Sequence, residues 1–221
     1  MKNDNSLAWQ SLALWRGDRC LQINLNGSLS AGQAITLRGP NGCGKTTLIR
    51  TLCGLSETTE GEVLWNGTPI RGQRSVFYAA LAYGGHRAGS KDELTARENL
   101  RFAAEFAGTD GELDTLIPAL ALSVCADLPV GSLSAGQRRR VTLARVLGSG
   151  KPLWVLDEPF TNLDKAGRHW LAQRFNAHLS AGGMLLIAAH QDTGIDPARE
   201  QIIELSGEPA RAELTAGARA S

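Results

Sequence analysis

The 221-residue sequence predicts an α/β fold: a mostly parallel sheet with helices, an antiparallel β part near its start and a helical part in its middle. Three observations carry that prediction. Strand-like and helix-like patterns alternate along the chain, as they do in parallel sheets. Residues 153–156 and 184–189 are short, continuously apolar runs of the kind that form strands buried on both faces. A glycine-rich turn, from Gly39 to Gly44, separates a strand pattern from a helix pattern.

Taken in order, residues 6–14 and 19–25 read as two short strands around a turn at Gly17 and Asp18. In the second, Leu21, Ile23 and Leu25 alternate with Gln22, Asn24 and Asn26. Residues 34–38 form the next strand. A helix begins near Lys45, with Leu48, Ile49 and Leu52 as its apolar stripe and Gly54 as its stop. Residues 62–65 with Asn66-Gly67 read as a hairpin strand and its turn. Residues 98–106 and 113–122 carry helical spacing, and Pro118 breaks or kinks the second. Residues 165–179 are helical between the two buried strands. Residues 208–221, rich in Ala, Gly and Arg, are expected to form a loose tail. One domain over 1–207 results, with its helical part at about 87–147, and no internal repeat.

Composition narrows the function. The chain is 43% hydrophobic and 20% charged, ordinary for a globular protein, and its net charge of +1 offers no bulk attraction to nucleic acid or lipid. No apolar run approaches the roughly 20 residues that span a bilayer, and the first six residues lack the core of a signal peptide. Cytosolic residence is therefore expected. Cys20, Cys43, Cys53 and Cys125 make no CxxC pair, so reduced thiols are expected.

Gly39-Pro40-Asn41-Gly42-Cys43-Gly44-Lys45-Thr46 fits GxxxxGK[ST] between a strand and a helix, the context in which that pattern cradles phosphate. Backbone N–H groups converge on phosphate oxygens, helped by the helix N-terminus. Lys45 can reach the β- and γ-phosphates, Thr46 can ligate Mg²⁺, and Thr47 can donate to the α-phosphate. Leu133-Ser134-Ala135-Gly136-Gln137 precedes a second helix, and Ser134 with Gln137 has capping-box spacing. The local reading is a well-capped helix; the sharper one is a second phosphate-seeking helix end. The strand at 153–156 runs into Asp157 and Glu158, where Asp157 would hold the Mg²⁺ shell and Glu158 would orient the attacking water. His190 follows the strand at 184–189 and falls on the ligand side of an open sheet.

The order GPNGCGKTT, LSAGQ, LWVLDEP, Asn162-Leu163-Asp164 and His190 resembles the ABC ATPases over about residues 7 to 205. The resemblance implies a P-loop NTPase core hydrolysing ATP with Mg²⁺. It makes Asp157 the Walker B aspartate, Glu158 the catalytic carboxylate, His190 the switch histidine and Asp164 the D-loop aspartate. Trp15 lies where the family places an aromatic that stacks on adenine; it and the less favoured Trp9 are otherwise core residues. The resemblance also implies a head-to-tail pair in which Ser134, Gly136 and Gln137 of one copy cover the nucleotide of the other.

The family's usual glutamine after the next strand is replaced by His86, which either contacts the water or Mg²⁺ shell or is a plain loop histidine. His86, Gly89, Lys91, Glu98-Asn99-Leu100, LSAGQRRR and PLWVLDEPFT are similar to the haem-exporter ATPases of cytochrome c maturation. That branch implies a membrane permease partner, a peripheral place on the cytoplasmic face of the bacterial inner membrane, and no haem bound by this subunit, which has no CxxCH. Arg138, Arg139 and Arg140 agree with it, or form a solvated face. The same motifs fit an ABC subunit with another cargo. A soluble ABC ATPase acting on nucleic acid or the ribosome is disfavoured, since heptads and a second P-loop are lacking.

Overall fold

The computed structural model describes residues 4–58, 60–85 and 89–206. Strand β1, Ser6–Arg16, turns at Gly17 and pairs antiparallel with β2, Arg19–Ser30. Both strands outrun the predicted lengths, because the polar residues that obscure their pattern belong to irregular pairing. The register skips between Trp9 and Leu12, where Ser11 adopts φ 50° and its N–H donates to the Asn26 side chain at 2.9 Å. Trp9 lies over Gly27, where a Cβ would collide with the indole, and is buried in the core. Strand β3, Ala34–Arg38, and helix α1, Lys45–Leu52, flank the glycine-rich turn. Strand β4, Glu62–Trp65, then joins β1, and β5, Thr68–Pro69, completes an antiparallel sheet of order β2-β1-β4-β5.

Helix α2, Arg74–Ala80, was not expected. Only Phe77 is fully buried on it while Val76 and Tyr78 stay exposed, so it carries no apolar stripe to read. It leads into β6, Leu81–Gly84. Helix α3, Ala96–Ala107, opens on a capping box in which Thr95 and Glu98 satisfy each other's backbone N–H. Helix α4, Leu113–Ala119, ends one residue after Pro118, earlier than the pattern predicts. Ala121 takes φ 50°, and the N–H groups of Ala121 and Leu122 close back on the carbonyls of Pro118 and Ile117. Helix α5, Ala135–Leu147, strand β7, Leu153–Asp157, helix α6, Lys165–Ser180, and strand β8, Met184–Ala188, follow as expected. Strand β9, Glu200–Glu204, was missed: it is a largely polar edge strand held by backbone pairing to β3.

The second sheet is parallel at every pairing, in the order β6-β7-β8-β3-β9. Its central strands bury both faces, with alternate residues going to opposite sides. Leu153, Val155, Met184 and Leu186 join the core between the two sheets, around α1; Trp154, Leu156, Leu185 and Ile187 join the core beneath α3, α4, α5 and α6. The C-terminal ends of these strands form one edge, where open parallel sheets place their ligands.

Candidate active site

The chain leaves β3 at Gly39, whose φ of 138° and tight approach to the Leu205 carbonyl exclude any side chain. It then curls to Gly44, φ 111°, the N-cap of α1. Lys45 is buried and its Nζ donates to the carbonyls of Gly39 at 2.7 Å and Pro40 at 3.1 Å, so the ammonium lies within the loop's curl. Cys43 is buried; its carbonyl accepts from Gln22 Nε2 at 3.3 Å, and the same amide donates to the Ser206 carbonyl at 2.8 Å. The sequence reading placed Gln22 on the polar side of an alternating strand; it is instead buried beside Cys20 and Leu21, while Ile23 is exposed. Thr46 Oγ1 donates to Asp157 Oδ2 at 2.8 Å, across 111 positions of sequence. Thr47 follows half-buried, and Pro40, Asn41 and Gly42 form the exposed crest.

Asp157 ends β7 and is 4% exposed, deep enough for its charge to be strongly felt. Glu158 reverses direction. It sits in left-handed backbone, φ 52°, pinned by its N–H to the Ala188 carbonyl at 2.9 Å. A non-glycine residue there costs on the order of 1 kcal/mol, and strain of this kind gathers at functional sites. The turn sends the Glu158 carboxylate outward. Its Oε1 is 3.4 Å from His190 Nε2, and its Oε2 accepts from Thr161 Oγ1 at 3.4 Å. Both contacts are long, and both side chains of the Glu158–His190 pair are partly exposed. They border a groove of about 280 Å³ that also meets Asn162, Arg168 and Gln191. Thr161 was missed by sequence reading although it stands three residues past Glu158.

Ser134 and Gln137 form the expected capping box: Ser134 Oγ accepts the Gln137 N–H at 3.2 Å, and Gln137 Oε1 accepts the Ser134 N–H at 2.9 Å. Ser134 is exposed at the head of α5, with Gly136 beside Asn162. Among the described residues no hydrogen bond or ion pair joins Ser134, Gly136 or Gln137 to Lys45, Thr46, Asp157 or Glu158. Asp164 caps α6 by accepting the Gly167 N–H at 2.7 Å. Trp15 is half-buried opposite Cys20, its indole N–H buried without a hydrogen-bond partner among the described residues. His86 lies outside the described residues.

The oxygen donors suit a hard divalent cation. Thr46 Oγ1 and Asp157 Oδ2 already converge, and among the described residues no three His, Cys, Asp or Glu side chains cluster. Mg²⁺ fits such a pair, since it is held by one or two protein oxygens together with substrate phosphates and water.

The ABC transporter family profile matches residues 23–161. The "Cytochrome c biogenesis ATP-binding export protein CcmA" of Aromatoleum aromaticum is 46% identical over 87% of this chain and 92% of its own. The protein of the same name from Pasteurella multocida is 43% identical over 87% of this chain and 92% of its own. A solved structure titled "Structure of ATP binding subunit of ABC transporter" superimposes with a TM-score of 0.79 at 24% identity, covering 90% of this chain and 85% of its own, a likeness of fold. The chain belongs to the ABC transporter family and, within it, to the cytochrome c biogenesis ATP-binding export proteins.

Proposed function

We propose that this chain is the ATP-hydrolysing subunit of an ABC complex that serves cytochrome c biogenesis, exporting haem or releasing a haem-loaded chaperone. The observation that carries the catalytic reading is the Thr46–Asp157 hydrogen bond at 2.8 Å, with Lys45 in the same loop and Glu158 next in sequence. Phosphate-loop N–H groups and Lys45 bind the triphosphate, and Trp15 stacks on its base. Thr46 and Asp157 would hold Mg²⁺, which supplies charge neutralisation on the phosphates. Glu158 orients the attacking water and accepts its proton. His190, 3.4 Å from the Glu158 carboxylate, holds that carboxylate and faces the same groove.

Among the described residues Ser134, Gly136 and Gln137 have no bond to the chain's own phosphate loop, and Ser134 is exposed at a helix N-terminus suited to anions. Both facts support a head-to-tail pair in which a second copy supplies that helix end to each nucleotide, with Asp164 near the junction. His86 and the segment after it would meet a membrane permease. Exposed Phe102 and Phe106 on α3 are apolar side chains that such a contact would cover. No helix among the described residues is long and apolar enough to cross a membrane, so anchoring on the cytoplasmic face of the inner membrane falls to the permease. Haem is handled by the partners, and neither haem nor nucleic acid binds this subunit.

The test is a deletion strain assayed for covalent haem on c-type cytochromes. Loss of that haem, restored by wild type but not by Glu158→Gln, is expected. Normal c-type cytochromes in the deletion strain would refute the biogenesis role and leave an ABC subunit with another cargo.

A further inference from the structure

The three arginines after the signature do not form one solvated face. All three are half-buried, and each donates to a different backbone carbonyl: Arg138 to Gly131 at 3.5 Å, Arg139 to Gly85 at 2.8 Å and Arg140 to Asn162 at 3.2 Å. The second is placed unlike the others. Gly84 pairs with Leu156 at the end of the β6–β7 ladder, so Gly85 stands one step on, level with Asp157. The corner is closely packed: a Cβ on Gly84 would lie 2.7 Å from Leu156 of β7 and 3.2 Å from Val146 of α5. The Arg139 guanidinium thus spans from the signature helix to the end of the edge strand, near Asp157 at the end of β7 and Glu158 just after it.

We propose that Arg139 is a positioning residue for ATP hydrolysis, fixing the β6 corner at Gly85 and the signature helix against Asp157 and Glu158. The inference rests on the ATPase reading given above. A partly buried guanidinium needs hydrogen bonds or compensating charge to offset its lost hydration. Among the described residues Arg139 has no carboxylate within ion-pair distance. Burial pushes its pKa down, and the nearby charges of Asp157, Glu158 and Tyr83 pull it back up. The two acids that the reaction uses therefore offset part of the cost of its burial, while its hydrogen bond goes to a neutral carbonyl.

The molecule supplies its own control. Arg145, farther along α5, donates to the Tyr83 carbonyl at 3.1 Å, and burial lowers its pKa with no opposing carboxylate among the described residues. The two arginines make the same kind of bond, one to β6 and one to the residue just past it, and they differ in their proximity to the site.

The experiment compares Arg139→Gln, Arg139→Lys and Arg145→Gln in the full chain. Steady-state phosphate release gives kcat and KM, and displacement of trinitrophenyl-ATP gives the affinity for Mg-ATP. With Arg139→Gln we expect kcat to fall at least about ten-fold, with KM and affinity within about three-fold, the split that marks loss of an interaction made at the transition state. Arg139→Lys keeps the charge and one donor and recovers part of kcat. Arg145→Gln lowers thermal stability and leaves kcat within about two-fold of wild type. Equal kcat in Arg139→Gln and Arg145→Gln overturns the proposal. If Arg139→Gln does not fold, Arg139→Lys and Arg145→Lys are judged by the same comparison. A wild type that binds but does not hydrolyse ATP overturns the ATPase reading and this inference with it; an active wild type beside equal variants overturns the inference alone.

Discussion

Glu158→Gln separates nucleotide binding from hydrolysis more cleanly than any other single change in this site. The substitution exchanges one carboxylate oxygen for an amide and keeps the shape. The backbone contact that pins the turn, Glu158 N–H to the Ala188 carbonyl, does not involve the side chain. The side-chain contacts at risk are the 3.4 Å approaches to His190 Nε2 and Thr161 Oγ1. A glutamine oxygen can still accept from either. A contact with both partners this exposed contributes at most about 1 kcal/mol, so stability should change by less than that. Lys45, Thr46 and the loop N–H groups are untouched, so Mg-ATP affinity should stay within about three-fold of wild type. What disappears, on the proposed assignment, is the proton acceptor for water. Removing a positioned general base costs about 10²–10⁴-fold in rate, or about 3–5 kcal/mol of barrier. The assay is phosphate release beside size-exclusion chromatography in Mg-ATP. The expected outcome is lost turnover with a nucleotide-bound dimer that persists on the column. Hydrolysis within about three-fold of wild type would refute the assignment of Glu158, since no general base acts at so small a magnitude.

Lys45→Ala removes an ammonium that bonds two loop carbonyls and stands where phosphate charge would gather. Charge-assisted bonds contribute about 1.5–3 kcal/mol each, so trinitrophenyl-ATP displacement should show affinity falling by about ten-fold or more. Unchanged affinity would remove the phosphate-loop reading. His178, on α6, stacks on Trp154 with ring centroids 3.6 Å apart and planes 4° from parallel, and its Nε2 is 3.3 Å from the Met184 carbonyl. Burial pushes its pKa from 6.5 down to about 4, aided weakly by the Arg174 charge and opposed by the carbonyls of Met184 and Pro152. Between those two values the unfolded chain holds a proton that the folded chain does not, so stability falls as pH drops through that window. Going from about pH 7 to about pH 5 should lower the unfolding free energy by about 2 kcal/mol more in wild type than in His178→Phe. Urea titrations at both pH values check this, and parallel pH slopes in the two proteins would refute it.

The parts of the fold that were legible in sequence are those whose cause is local. Gly39 to Lys45 announces its own turn and helix, because each glycine and the lysine act within one loop. Ser134 and Gln137 announce a cap because they satisfy each other three residues apart. Thr95 and Glu98 form the same box, which the sequence reading passed over in starting the helix at Glu98. Strand β9 could not be read this way. Its side chains are mostly polar and exposed, and it exists because β3 offers it a row of backbone partners. Arg139 was illegible for a related reason. Whether an arginine after a capping box is solvated or buried depends on β6 lying next to β7, a strand order that no local pattern encodes.

The register of the parallel sheet joins these local motifs into one site. Leu37 of β3 and Asp157 of β7 both pair with Ala188 of β8, so the three strands end at one level. The residues that follow them, leading to Gly39, Glu158 and His190, therefore emerge in one row. A slip of β8 by one residue would move His190 away from Glu158 and turn every β8 side chain to the opposite face. Hydrophobic alternation resists such slips only when one face is polar, and β8 is apolar on both. Other features must hold it. At the start of β8, the Met184 N–H bonds to the Pro152 carbonyl at 2.7 Å and the Gly183 carbonyl accepts the Gly32 N–H at 2.7 Å; at its end, the Glu158 N–H bonds to the Ala188 carbonyl and the Ala189 N–H to the Leu37 carbonyl. Three of those four contacts tie β8 to the strands that carry the phosphate loop and the carboxylates or to the segments leading into and out of them, and the fourth is made by the strained residue itself. The left-handed turn at Glu158 thus serves two purposes: it presents the carboxylate, and its N–H locks the register that places His190 opposite.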